Sequence, residues 1–425
     1  MFKIIKNKIK DNKEFLKDNF ILFSGLFILN VLGYFFHFYA GRKLGPEDYG
    51  IFGSLLSLIY IILMPLNSLQ TIISKFVSNF KVKNDYEKIS YLVSNSLKKL
   101  VIYGVIITII FLLLSPIIAS FLKVSNIISL IILSSFIILG IVVLVIRGAL
   151  QGLQKFKILG LSYIMEGVGK FIGGFLLIYI GFGVNGAIGG LVISYIVALI
   201  LVSIYIFKFL KIKKEKFDSK EIYKYSLPVF IMLISLTLFY SIDVLLVKHF
   251  FDSDMAGYYA ALALLGKIIF FGSLSVSMVM FPKVSESHIL NKDHKNILYK
   301  SLLLILSFGG LISLFYFIFS KFTVNLLFGA DYLEITNLLG LFGIVMTIFS
   351  LIYVLAFYYA SINKTKFIYL LVLFNLLEAI LIWFFHNSLM QIIIILLILF
   401  GILFLIMILG VKGNAKLDIN YSSIQ

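Results

Sequence analysis

Residues 208–224, KFLKIKKEKFDSKEIYK, place seven lysines between two apolar runs, 184–207 and 226–249. A run of that length crosses the ~30 Å hydrocarbon core of a bilayer as one helix. A lysine-rich segment between two such runs stays on the cytoplasmic side, because translocating it is unfavourable. Working outward, ten more runs follow the same rule: 20–41, 50–73, 98–119, 127–147, 158–180, 257–282, 300–320, 334–358, 366–386 and 388–411. Every second polar gap, taken with both chain ends, holds 30 of the 37 Lys and Arg residues. The intervening gaps hold only Arg42, Lys43, Lys123, Lys248 and Lys321, while Lys170 and Lys267 lie inside runs. This asymmetry predicts an all-α integral membrane protein with twelve transmembrane helices and both termini cytoplasmic.

Composition agrees. Hydrophobic residues make up 61% of the chain and charged residues 13%, far from the balance of a soluble domain. The net charge of +17 maps mainly to the basic gaps, where it orients the protein and meets anionic membrane lipids rather than nucleic acid. The chain has no cysteine, which excludes disulfides, thiolate metal sites and thiol catalysis. The five histidines are scattered and there is no phosphate-binding loop, so no enzyme, cofactor or metal centre is expected. Residues 1–19 are basic, with Ile5, Ile9 and Leu16 at near-helical spacing. They read as an interfacial helix ahead of an uncleaved first span, since the run from Phe20 to Ala40 lacks the short core and cleavage site of a signal peptide.

The basic linker divides the chain into a six-helix half at 1–210 that includes the amphipathic segment, a cytoplasmic linker at 211–225, and a six-helix half at 226–425. A shift of 207 lays Pro46-Glu47-Asp48-Tyr49-Gly50-Ile51-Phe52 over Ser253-Asp254-Met255-Ala256-Gly257-Tyr258-Tyr259, and Phe76-Val77-Ser78 over Lys283-Val284-Ser285. Six is even, so the halves enter the membrane in the same direction, as parallel repeats do. Two parallel bundles about a central cleft suit alternating access.

Ionisable side chains at membrane depth are costly unless they face protein or water, which makes them functional candidates. They are Glu166 and Lys170 in the fifth run, Asp243 in the seventh, Lys267 in the eighth and Glu378 in the eleventh, with His37 and Arg42 at the outer end of the first. Glu166 and Lys170 are four apart and able to pair; alternatively Lys170 attracts an anion and Glu166 tunes it. Lys267 serves a cavity or is held by Asp243 or Glu378. Asp243 binds a proton or Na⁺, or forms a static bridge to Lys248 or Lys267. Glu378 reads most simply as a helix–helix hydrogen bond near Asn375. The glycine runs Gly167-Val168-Gly169, Gly173-Gly174 and Gly186 to Gly190 allow close helix approach.

Four segments carry a resemblance: Arg42-Lys43-Leu44-Gly45-Pro46-Glu47-Asp48-Tyr49-Gly50-Ile51-Phe52; Arg147 to Phe156, a basic turn between runs four and five; Ser241-Ile242-Asp243 through Tyr259 to Lys267; and Phe281-Pro282-Lys283. They resemble the polysaccharide transporter (Wzx-type O-antigen flippase) family of the MOP superfamily, which also holds the MATE drug exporters. The resemblance implies a MATE-like fold in the cell membrane and a lipid-linked oligosaccharide, carried on an isoprenoid pyrophosphate, as substrate. It also implies glycan polymerase or glycosyltransferases as partners and H⁺ or Na⁺ as a coupling ion. Arg42, Lys170 and Lys267 would then supply counter-charge to the pyrophosphate, with Arg147 and Glu378 as further candidates. The alternative is a proton- or sodium-coupled MATE-type exporter of small molecules.

Overall fold

The computed structural model describes the backbone of residues 2–210, 212–215, 220–290 and 292–421, and the side chains of these except 2–19, 208–210, 220–226, 289 and 412–421. The interfacial role expected of Ile5, Ile9 and Leu16 therefore lies outside the described residues, as does part of the 211–225 linker. In chain order the helices are α1 (Phe2–Leu63), α2 (Asn67–Val82), α3 (Tyr86–Phe121), α4 (Ile128–Gly152), α5 (Phe156–Tyr179), α6 (Gly183–Leu210), α7 (Lys220–Leu238), α8 (Ile242–Phe250), α9 (Ser253–Ile289), α10 (Lys295–Ile318), α11 (Ser320–Leu327), α12 (Thr336–Ser361), α13 (Phe367–Phe384) and α14 (Leu389–Tyr421). No strand occurs among the described residues.

Among the described residues eleven stretches are long and apolar enough to cross a membrane, and the first, Phe20–Val82, is 63 residues. A straight helix of that length would measure about 95 Å, three times the hydrocarbon thickness. It is not straight: Gly45 has φ 75° and ψ 174°, and Pro46 follows. The left-handed φ suits glycine, and a residue before proline is driven out of the α region, so the Gly45-Pro46 pair separates two spans. The expected twelve spans emerge once this break is counted.

Two departures from the sequence reading matter. The basic gap at 74–99 is mostly helix, with α2 running to Val82 and α3 starting at Tyr86, because Lys and Glu are good helix formers that remain solvated past the membrane. The seventh run is not one helix. The chain leaves the α pattern over Phe239–Ser241, where Tyr240 N–H bonds the Thr237 carbonyl and Ser241 N–H the Leu238 carbonyl, and α8 restarts at Ile242.

The chain divides into two compact units, one of residues 1–44 and 59–230, the other of 45–58 and 231–425. In unit 1, Ile73, Val77, Ile89, Val145, Ala149 and Val202 from α2, α3, α4 and α6 form a core. Its helices approach at glycines: a Cβ on Gly190 would lie 2.5 Å from the Gly174 Cα. In unit 2, α12 is the central helix, packed on α9, α10 and α14. Residues 45–58 join this unit, with Tyr49 buried edge-on against Phe328 and Tyr332. A Cβ on Gly50 would stand 2.7 Å from the Gly257 nitrogen, and one on Gly53 would stand 2.6 Å from the Ala260 Cβ. Both contacts join positions 207 apart, so the repeat elements meet at equivalent residues, the signature of a local two-fold relation.

Candidate functional site

The ionisable residues gather in two clusters, one in each unit. In unit 2 the cluster surrounds the broken span. Asp243 sits in the first turn of α8 and is 2% exposed. It accepts the Tyr259 hydroxyl at 2.8 Å and the Val244 N–H at 2.8 Å. Placing a carboxylate at a helix N-terminus satisfies amides left open by the break. Asn375 of α13 donates to the Ser235 carbonyl at 3.1 Å on the other side of the break, and to Leu371 at 2.8 Å. Lys267 of α9 lies 5.2 Å from the centre of the Tyr240 ring, within electrostatic reach of Asp243. Glu378 is fully buried, close enough to Asp243 for their charges to interact, and among the described residues neither of its oxygens has a hydrogen-bond partner.

This geometry replaces two expectations. Asp243 forms no salt bridge to Lys248 or Lys267 among the described residues; its partner is a tyrosine hydroxyl. Glu378 makes no helix–helix hydrogen bond among the described residues, and the amide of Asn375, one turn away, goes to backbone carbonyls. Lys248, counted above as a gap residue, is 1% exposed within α8.

Unit 1 holds the other cluster. Glu166 pairs with Arg147 at 2.7 Å rather than with Lys170. Arg147 is not a turn residue: it is 3% exposed inside α4. Its Nε donates to the Ser162 hydroxyl at 3.1 Å, its second terminal nitrogen to the Ser162 carbonyl at 3.0 Å, and its guanidinium lies 4.1 Å from the centre of the Tyr163 ring. One terminal nitrogen of the guanidinium meets the acid while the rest of its fork is held by Ser162, a fixed arrangement that the ammonium on the same helix as the acid cannot match. Lys170 is left with His37, Nζ to Nε2 at 3.4 Å, and with the Phe36 ring at 5.3 Å. Glu166, four residues back on the same helix, acts on Lys170 only through its field. Arg42 is exposed near the end of the first span.

The sequence reading missed Gln70, Gln151 and Tyr163, which adjoin the Arg147–Glu166 pair; uncharged side chains gave no signal there. The buried state of His37 was equally illegible. Among the described residues no group of three or more His, Cys, Asp or Glu is arranged to hold a metal ion.

This fold is that of the MOP-superfamily transporters. An inward-facing multidrug resistance MATE family transporter matches with a TM-score of 0.78 at 14% identity, covering 91% of this chain and 96% of that one. A MOP superfamily transporter from Pyrococcus furiosus, described as having a binding pocket of reverse polarity that suggests a different function, matches with a TM-score of 0.66 at 16% identity, over 93% and 96%. At these identities the likeness carries the fold alone. The chain belongs to the polysaccharide biosynthesis protein family, whose pattern matches residues 15–288. An uncharacterized membrane protein of Methanocaldococcus jannaschii is 27% identical over 292 residues, 63% of this chain and 67% of that protein. The chain is thus a multi-pass membrane protein of the polysaccharide biosynthesis protein family, built on the fold that these transporters share.

Proposed function

We propose that this protein is a flippase for an isoprenoid-pyrophosphate-linked oligosaccharide, moving it from the cytoplasmic to the outer leaflet of the cell membrane by alternating access. The observation that carries this reading is Lys170, a cation deep in a membrane-spanning helix whose contacts are a histidine and an aromatic ring rather than a carboxylate. A charge at depth is costly unless a partner arrives, and an ammonium without an acid in contact suits an anionic cargo. Lys267 supplies a second cation in unit 2, and Arg42 a third. Glycosyltransferases and a glycan polymerase are the expected partners, acting before and after the crossing.

Asp243 and Glu378 suit a coupling ion. Glu378, whose oxygens meet no donor among the described residues, favours taking up a proton or Na⁺, and Asp243 stands beside the broken span, where such sites form. The same two acids favour the second reading, a cation-coupled exporter of small molecules. The test is to replace Lys170 or Lys267 by Ala and measure glycan at the cell surface with the amount of protein in the membrane. Loss of surface glycan at normal protein level supports the flippase; normal export from both variants overturns it.

A further inference from the structure

Beside the charges used above, α2, α4 and α5 bring three uncharged polar side chains together in unit 1. Gln70 donates its amide to the Gln151 carbonyl oxygen at 3.1 Å and to the Tyr163 hydroxyl at 3.3 Å. This leaves the Gln70 carbonyl oxygen, the Gln151 amide nitrogen and the Tyr163 hydroxyl proton. Within the described residues none of them has a protein partner, and neither glutamine atom is sealed from solvent. The trio is held in place from behind. Arg147 lies over one face of the Tyr163 ring and is itself fixed by Glu166 and Ser162.

The chemistry of this patch is specific. The Arg147–Glu166 pair cancels its own charge, so the patch does not select a phosphate. Three open hydrogen-bonding atoms are equally unsuited to an isoprenoid tail. One open acceptor, one open amide donor and one phenol hydroxyl is the set that reads vicinal hydroxyls on a sugar. Its placement agrees. Tyr163, Glu166 and Lys170 recur at three and four residues along one face of α5, and seven residues of helix rise about 10 Å. That is the reach from a phosphate held at Lys170 to the first or second sugar attached to it.

We propose that Gln70, Gln151 and Tyr163 form a sugar-binding subsite for the glycan residues next to the pyrophosphate. This inference rests on the flippase reading and assigns its specificity to residues other than the cavity charges. The test uses the full-length protein in detergent and two probes. One is the polyprenyl-pyrophosphate-linked glycan fraction from membranes of the cells that make this protein. The other is the sugar-stripped lipid, a polyprenyl pyrophosphate of the same chain length. Affinity is read from the rise in melting midpoint with probe concentration.

Native protein is expected to bind the intact fraction about tenfold more tightly than the stripped one, the scale of two or three neutral hydrogen bonds. Gln70→Ala/Gln151→Ala should lose that preference while still binding the stripped lipid, and Lys170→Ala should lose both. If the double variant fails to accumulate, Tyr163→Phe, which removes a single oxygen, carries the test with a smaller loss. Equal affinity of native protein for both probes, or a preference retained in the variants, overturns the subsite and leaves the flippase standing. Failure of native protein to bind either probe overturns the flippase reading and the subsite with it.

Discussion

Breaking the Arg147–Glu166 pair is the sharpest perturbation of unit 1. The two side chains are 3% and 12% exposed and meet at 2.7 Å, so water offers little screening to discount. Glu166→Gln keeps the shape and leaves the guanidinium buried without its counter-charge. Removing one partner of a buried pair costs roughly 3–5 kcal/mol, between two and four orders of magnitude in the folding equilibrium. Arg147 keeps its two bonds to Ser162, which places the expected loss at the lower end of that range. Arg147→Met/Glu166→Gln removes both charges, and replacing a buried pair by neutral groups is often close to neutral. The double variant should therefore recover most of what the single one loses. The assay is the fraction of monodisperse protein surviving a temperature series in detergent. A Glu166→Gln protein that melts with the native one, or a double variant no more stable than Glu166→Gln, refutes the reasoning.

Three further outcomes are expected. The native chain lacks cysteine, so single cysteines report topology cleanly: one at Lys213 should be shielded from an impermeant thiol reagent in intact cells and one at Ser253 labelled, and the reverse pattern would sink the assigned orientation. Gly257→Ala should destabilise by about 1–3 kcal/mol, because its Cβ would fall on the Pro46 backbone. Gly310→Ala and Gly401→Ala meet open space in mid-helix and should stabilise by up to about 1 kcal/mol, so equal effects at the three sites would contradict the packing described. Asp243→Asn keeps its size but cannot ionise. Probe pairs that report a shift in conformation with pH or Na⁺ in native protein should show none in the variant, and an unchanged response rules Asp243 out as the coupling group.

The span count was legible because apolar runs of membrane length and alternating lysine content are both one-dimensional signals. The Gly45-Pro46 break was legible for the same reason, since both residues act through their own backbone. The break at Phe239–Ser241 was not. No glycine or proline occurs between residues 229 and 250, and what supports the irregular turn is Asn375, far along the chain. Charge pairing failed in the same way. Spacing placed Glu166 and Lys170 on one face, yet α4 delivers Arg147 to Glu166 with better geometry. Arg147 itself was misplaced because a charge at the end of an apolar run looks like a loop residue until the neighbouring helix is known. The shift of 207 was visible in sequence, while the meeting of Gly50 with Gly257 needed the fold.

Transport itself is tested most directly in vesicles reconstituted with the purified protein and a polyprenyl-pyrophosphate-linked glycan. A membrane-impermeant glycosidase mixture added outside digests only the glycan in the outer leaflet of protein-free vesicles. Native protein should raise the digested share to nearly all of the glycan, and Lys170→Ala should leave it at the protein-free level. Native vesicles that yield no more digestion than protein-free ones would contradict the account.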